Sequence, residues 1–413
     1  MKIKKNITKV KTSATLAINE KSKNLESKGK EIYKFGLGQS PFPVPKIVEK
    51  ELKKNAHQKD YLNVEGLEQL RIEVAKYHQK KNQYNYTKDN IIIGPGSKEL
   101  IFQIQLVLKC DLLLPSPSWV SYEPQAKILN KKIHWLKTSA KSNWHLESQT
   151  LEKFCKKYPK KQKLLILNSP NNPSGTSHNK LKELAQVAKK YKIIIISDEI
   201  YAELDFLGKY KSISHYYPEG TIISSGLSKW CGAGGWRIGT MIFPKKLIFI
   251  KKYIKVIASE TFTSVSAPIQ YAAIKAYSEN HSDYLKKSRK VLHQISLYIH
   301  KKLTSIGVEC QKTEGGFYIL CDFNKIIHDK NIISSEKLCQ TVLQHINFAM
   351  LPGSNFGIKK SSLITRLAFV DFDGKKALTV VRLNKKFTDE EIRIYFPKIY
   401  IGIGKLISWL SNH

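Results

Sequence analysis

Three short runs in the middle of the chain are apolar at every position: 164–167, 193–196 and 222–223. A strand with one wet face alternates apolar and polar residues, whereas an uninterrupted apolar run is expected of a strand covered on both faces. Between the first two runs, Leu181, Leu184, Val187 and Ala188 recur at helical spacing within 180–191. Strand, helix, strand in that order predicts a parallel sheet flanked by helices, an α/β fold. Upstream, the closely spaced prolines of 36–45 forbid a helix or a central strand there. From about residue 286 a helix-like segment precedes a strand-like 316–322 and further mixed elements. The predicted organisation is an N-terminal arm, 1–46, contributing to a smaller α+β domain, a large α/β domain at 47–285, and the rest of the small domain at 286–413. No internal repeat, low-complexity linker or heptad run interrupts it.

Composition narrows the class. With 413 residues, 42% of them hydrophobic, the chain can bury a substantial core and more than one domain. Lys or Asp breaks every apolar stretch well short of the roughly 20 residues of a membrane span. The basic first residues, Met1 to Lys11, lead into no apolar signal region, so a cytoplasmic protein with no membrane association is expected. Six scattered cysteines show no metal-like spacing, and free thiols with no metal site are expected. The formal charge of +35 raises the question of nucleic acid. Most of the cations are Lys, however, while nucleic-acid surfaces favour the forked Arg, so no nucleic-acid partner is expected. The same bias gives weight to the few arginines, among them Arg71, Arg237, Arg289 and Arg366.

Polar clusters come directly after the three buried runs, at 168–175, 197–201 and 224–229. Ligands of parallel α/β sheets bind at the carboxyl edge of the strands, so the three clusters point to one site. In the first, Pro173 and Gly175 set a turn from which Asn172 can offer an amide donor. In the second, Asp198 closes an isoleucine run, where a carboxylate either needs a cationic partner or caps the helix after it. In the third, Lys229 sits among small residues, and Arg237 eight positions on supplies a forked donor suited to phosphate.

Gly226-Leu227-Ser228-Lys229, followed by Gly235-Trp236-Arg237-Ile238-Gly239, resembles the pyridoxal-phosphate attachment signature of the class I and II, fold type I, aminotransferases. The resemblance continues along the chain in the family's order. Ser13-Ala14-Thr15-Leu16-Ala17 is similar to the substrate-facing N-terminal segment, and Gly36-Leu37-Gly38 to the glycine turn beneath the substrate. Tyr61 resembles the tyrosine that reaches a neighbouring subunit's cofactor, Gly96-Ser97-Lys98 the phosphate-cradling loop, and Trp119 the aromatic stacked on the pyridine ring. Arg366, after Pro352-Gly353-Ser354-Asn355-Phe356-Gly357, is similar to the arginine that grips the substrate carboxylate. Three positions depart from the pattern. Gly226 stands where a hydroxyl residue is common, leaving Ser225 and Ser228 as the nearby hydroxyls. Ala233-Gly234 replaces a Met-Thr pair, and Gln39-Ser40-Pro41-Phe42 replaces Glu-Pro-Asp-Phe.

The resemblance implies a fold type I enzyme with pyridoxal 5′-phosphate as cofactor, moving an amino group between an L-amino acid and a 2-oxo acid by a ping-pong mechanism. Lys229 would carry the Schiff base and move the proton, with Asp198 on the ring nitrogen and Asn172 and Tyr201 on the phenolic oxygen. Gly96, Ser97, Lys98 and Arg237 would surround the phosphate, with Tyr61 added from a second copy. Gly38, Trp119, Asn172, Arg366, Thr15 and Lys98 would meet the substrate. Lys98 occupies the position of a lysine that reads an acidic side chain in aspartate and prephenate aminotransferases, which favours aspartate or glutamate. Aromatic, alanine or kynurenine-type aminotransferases and a lyase of the same fold are the alternatives. Tyr61 and 261–264 imply a homodimer with shared active sites.

Overall fold

The computed structural model describes residues 1–82 and 84–412. Seven strands form the central sheet: β1 (Ile91–Gly94), β2 (Asp111–Ser116), β3 (Ile133–Lys137), β4 (Lys163–Asn168), β5 (Ile194–Asp198), β6 (Thr221–Gly226) and β7 (Gly239–Ile242). Their spatial order is β1-β7-β6-β5-β4-β2-β3. All run parallel except β7, which is antiparallel to both neighbours. The three apolar runs are β4, β5 and β6, and every residue of β4 and β6 is buried, as expected of two-sided coverage.

The pleat sorts the side chains into two cores. Leu112, Leu114, Leu164, Ile166, Ile196 and Ile222 face helices α1 (Ser97–Val107) and α3 (Ile248–Ser259). Leu113, Leu165, Leu167 and Ile195 turn to the other side, onto α2 (Leu181–Lys190), the helix predicted at 180–191. The 36–45 stretch contains neither helix nor strand.

Beyond the sheet the chain enters α4 (Ser282–Thr304), which begins a turn earlier than the pattern suggests. A four-stranded antiparallel sheet comes next, built from β8 (Glu309–Cys310), β9 (Tyr318–Asp322), β10 (Leu351–Pro352) and β11 (Ile364–Ala368) in the order β10-β11-β9-β8. The expected strand 316–322 is therefore shorter at its start, because Gly316 takes a left-handed φ of 68° in the preceding turn. Near the N-terminus, Tyr33–Lys34 pairs in parallel with Phe348–Ala349. Among the described residues, no helix is long and apolar enough to cross a membrane.

Ile196 is fully buried in β5, with neighbours on both sides of the strand. Ile196→Ala is expected to cost about 2 to 5 kcal/mol of unfolding free energy, from lost transfer energy plus the cavity left behind. Ile401→Ala, on an exposed helix face, should stay within about 0.5 kcal/mol. Urea titration of both variants checks the contrast.

Candidate active site

Strand register brings the polar clusters together. Asn168 of β4 is paired with Asp198 of β5, and Asp198 with Ser224 of β6; β4 and β5 end at that level, and β6 runs two residues further to Gly226. Above them lies a cavity of about 480 Å³. Its walls include Gly38, Ser97, Lys98, Trp119, Asn172, Asp198, Tyr201, Ser228, Lys229 and Arg237, most of the residues singled out in the sequence. Arg366 lies behind the wall, fully buried, and is joined to it through Asn172. Gly96 adjoins Arg237 instead of the cavity itself. Thr15 is occupied by Ser13 at 2.9 Å, and the residue of its helix that reaches the cavity is Leu16. Tyr61 is 89% exposed and takes no part in this chain's cavity.

The amine of Lys229 donates to the Gly38 carbonyl at 2.7 Å. Enclosure lowers its pKa from 10.5 to about 7; Arg366 and Arg237 add to the effect, and Asp198 opposes it. Asp198 is the mirror case, raised to about 6 by burial although hydrogen bonds favour its charged form. Within the chain those bonds come from neutral donors. Among the described residues no Lys or Arg pairs with Asp198; the Tyr122 hydroxyl donates to Oδ2 at 2.5 Å and the Ile200 N–H to Oδ1 at 3.3 Å. The Ile200 N–H closes a local turn after β5; the next helical turn begins only at Ala202, with Tyr201 and not Asp198 at its N-cap, and Tyr122 carried no signal as a partner. It lies three residues after Trp119, with the two rings edge to face at 5.2 Å.

Asn172 is held from two sides. Its N–H donates to Asn168 Oδ1 at 2.8 Å, and its own Oδ1 accepts from Arg366 at 3.1 Å. That leaves the Asn172 amide nitrogen as the donor for the cavity. Arg366 also donates to the Gly36 carbonyl, yet its Nε has no partner despite complete burial. An unpaired buried guanidinium nitrogen is costly, and here no acidic side chain pairs with Arg366 among the described residues.

At the other end, Gly96 (φ 94°) precedes α1 without a side-chain cap, so the first N–H groups of the helix remain available. Arg237, itself at φ 54°, leans across them, and its Nη2 occupies the space that a Gly96 Cβ would need. Only glycine permits that approach. The Lys98 amine sits 5.2 Å from the Trp119 ring centre, and burial with Arg237 nearby lowers its pKa. The glycine at 226 has a local cause: a Cβ there would come within 2.8 Å of the Ile238 carbonyl. Ser228 reaches the cavity wall, and Ser225 does not.

Four cations, Lys98, Lys229, Arg237 and Arg366, thus gather around a single carboxylate, Asp198. The excess positive charge, the open helix N-terminus, the glycine cradle and the unpaired Arg366 Nε suit a ligand carrying a phosphate and a carboxylate. These residues fit pyridoxal phosphate together with an amino acid. Among the described residues, no cluster of three or more His, Cys, Asp or Glu is placed to hold a metal. Sequence reasoning also missed Tyr318, whose hydroxyl is 2.9 Å from that of Tyr201. The only signal was its place at the start of a predicted strand.

Residues 30–371 match the family described as aminotransferase class I and II. The aspartate aminotransferase of Geobacillus stearothermophilus is 30% identical over 369 residues, covering 86% of this chain and 92% of the relative. A probable aspartate/prephenate aminotransferase of Rickettsia felis is 30% identical over 374 residues, 86% of this chain and 89% of the relative. The solved structure of Thermus thermophilus aspartate aminotransferase with maleate superposes with a TM-score of 0.83 at 25% identity, over 92% of this chain and 98% of that one.

The lowered pKa of Lys229 has a measurable sign. Between about 7 and 10.5 the unfolded chain binds a proton that the native amine lacks, so this group's contribution to stability rises with pH across that window. Below it, the native protein bears the full cost of a buried ammonium. Without cofactor, Lys229→Met should therefore be more stable than the parent at pH 6, by a margin that narrows towards pH 9.5. A margin independent of pH in urea titrations would contradict the assignment.

Proposed function

Because the chain belongs to the class I and II aminotransferases, we propose that it uses pyridoxal phosphate to move the amino group of aspartate or glutamate to a 2-oxo acid. The observation that carries this reading is the composition of one cavity: an amine with a pKa of about 7 at its floor, one buried carboxylate, and three further cations at or just behind its wall.

Lys229 is the residue that would hold the cofactor's aldehyde. Once displaced by a substrate, its amine is neutral for an appreciable fraction of the time near pH 7 and is suited to take the proton from Cα. When bound, pyridoxal phosphate supplies an electron sink for the charge left at that carbon. Asp198 would face the ring nitrogen, where its negative charge keeps that nitrogen protonated. Tyr122 and the Ile200 N–H hold the carboxylate for that task. Asn172 and Tyr201 would donate to the phenolic oxygen, and Trp119 would cover one ring face. Ser97, the N–H groups opening α1 and the fork of Arg237 would hold the phosphate.

Arg366 would bind the α-carboxylate by two parallel hydrogen bonds, which orients the Cα–H bond for removal. Lys98 lines the same cavity and would meet the distal carboxylate of an acidic substrate. The names of the similar proteins, aspartate and aspartate/prephenate aminotransferases, support that preference. Tyr61, exposed in the single chain, would complete the phosphate site of a second copy in a homodimer, to which 261–264 would also contribute. Six cysteines outside any disulfide support a reducing, cytoplasmic setting.

Borohydride reduction of the cofactor-loaded protein should fix the cofactor to Lys229 alone, as peptide mapping will show. The two substrate cations should separate kinetically. Arg366→Lys replaces a fork with a point charge and should lower kcat/KM for acidic and neutral amino acids alike. Lys98→Ala should penalise aspartate or glutamate by about 10- to 150-fold, the equivalent of a charged hydrogen bond, with neutral donors nearly untouched. Equal losses for both classes would withdraw the acidic preference and leave the aminotransferase in place.

A further inference from the structure

Tyr318 opens β9, and in the antiparallel ladder it pairs with Ala368 while Leu320 pairs with Arg366. Residues two apart on a strand share a face, so Tyr318 and Arg366 are diagonal neighbours on one side of the small sheet. The Arg366 guanidinium carbon lies 4.4 Å from the centre of the Tyr318 ring. At its far end the Tyr318 hydroxyl stands 2.9 Å from the Tyr201 hydroxyl, with the two rings nearly perpendicular at 83°. The same hydroxyl fills the space that a Cβ on Gly38 would need, and the Gly38 carbonyl receives the Lys229 amine. Both tyrosines are buried, Tyr201 at 3% and Tyr318 at 2% exposure, so water does not compete for either hydroxyl. One side chain therefore touches Arg366, Tyr201 and the Gly38 turn to which Lys229 donates.

We infer that Tyr318 is a positioning residue that couples the carboxylate-binding arginine to the cofactor-facing phenol. Its ring is the platform under Arg366, and we assign the shared proton, which either hydroxyl could give, to Tyr318, so that its hydroxyl donates to the Tyr201 oxygen. A phenol has one proton to give. Accepting from Tyr318 leaves the Tyr201 proton free to point into the cavity and strengthens it as a donor there. Gly38 lacks a side chain because that hydroxyl occupies the space. The inference rests on the reading of the cavity as a pyridoxal-phosphate site.

The test uses cofactor-loaded parent protein and the variants Tyr318→Phe, Tyr318→Leu and Gly38→Ala, each checked for folding by circular dichroism. The visible absorbance of the lysine-bound cofactor is titrated against pH, and KM and kcat are measured with an acidic amino acid. Tyr318→Phe keeps the platform and loses the hydroxyl. A weaker donor at Tyr201 stabilises the deprotonated form less, so the midpoint should rise by about half to one pH unit, with KM held within about twofold. Tyr318→Leu should raise the midpoint equally and also raise KM about three- to tenfold, because the cation–π platform is gone. Gly38→Ala, which displaces the hydroxyl while keeping the tyrosine, should move the midpoint in the same direction. A Tyr318→Phe midpoint equal to the parent's overturns the inference, as does a Phe variant whose KM rises as far as that of the Leu variant. Should Tyr318→Phe fail to fold, the Gly38→Ala midpoint decides. A parent protein that binds no cofactor at Lys229 sinks the underlying functional reading instead.

Discussion

The register of three parallel strands is the constraint on which this site rests. Hydrogen bonding pairs Asn168 with Asp198 and Asp198 with Ser224, and a slip of one residue in either ladder would turn Asp198 to the opposite face of the sheet. Burial on both faces holds that register, because every residue of β4 and β6 would exchange one packed environment for another. The polar residues then emerge where the chain leaves the sheet, supported by a rigid layer and still free to line a cavity.

The electrostatics of the cavity arise from that placement. Burial acts against charge on both Asp198 and Lys229, raising one to about 6 and lowering the other to about 7. Their mutual attraction works in the opposite sense and loses. Burial does most to lower the Lys229 pKa, and Arg366 and Arg237, which repel its ammonium form, add to that effect. The arrangement is costly to the free protein, with an unpaired guanidinium nitrogen on Arg366 as its clearest mark. Strain of this kind is expected where a site is organised in advance for an anionic ligand.

Long-range closure completes the site. Gly36 receives Arg366 from 330 residues away, and Gly38 receives Lys229 from 191 residues away. Tyr201, in the turn after β5, and Tyr318, in the small sheet, share a hydrogen bond across 117 residues. The glycine turn of the N-terminal arm is thus held between the two sheets, and its lack of side chains has a steric reason at Gly38.

Much of this was legible in the residues alone. Uninterrupted apolar runs identified β4, β5 and β6, because a strand covered on both faces has no polar positions to interleave, and the polar clusters at their ends announced one site. Local spacing around Lys229 and Arg237 carried the family, since the attachment signature is contiguous in sequence. What the sequence could not supply depends on which distant segments meet. Tyr122, 76 residues away, holds Asp198, a partner the sequence did not point to. Leu16, one position from Thr15, faces the cavity, a difference decided by helix rotation against the rest of the protein. Tyr318 carried no recognisable motif, and its importance arises only when β9 and β11 pair and bring its ring beneath Arg366. Residue type and local period determined the elements and the chemistry on offer; packing between segments hundreds of residues apart decided the partners, because hydrogen bonds and charges act over a few ångströms of space and not along the chain.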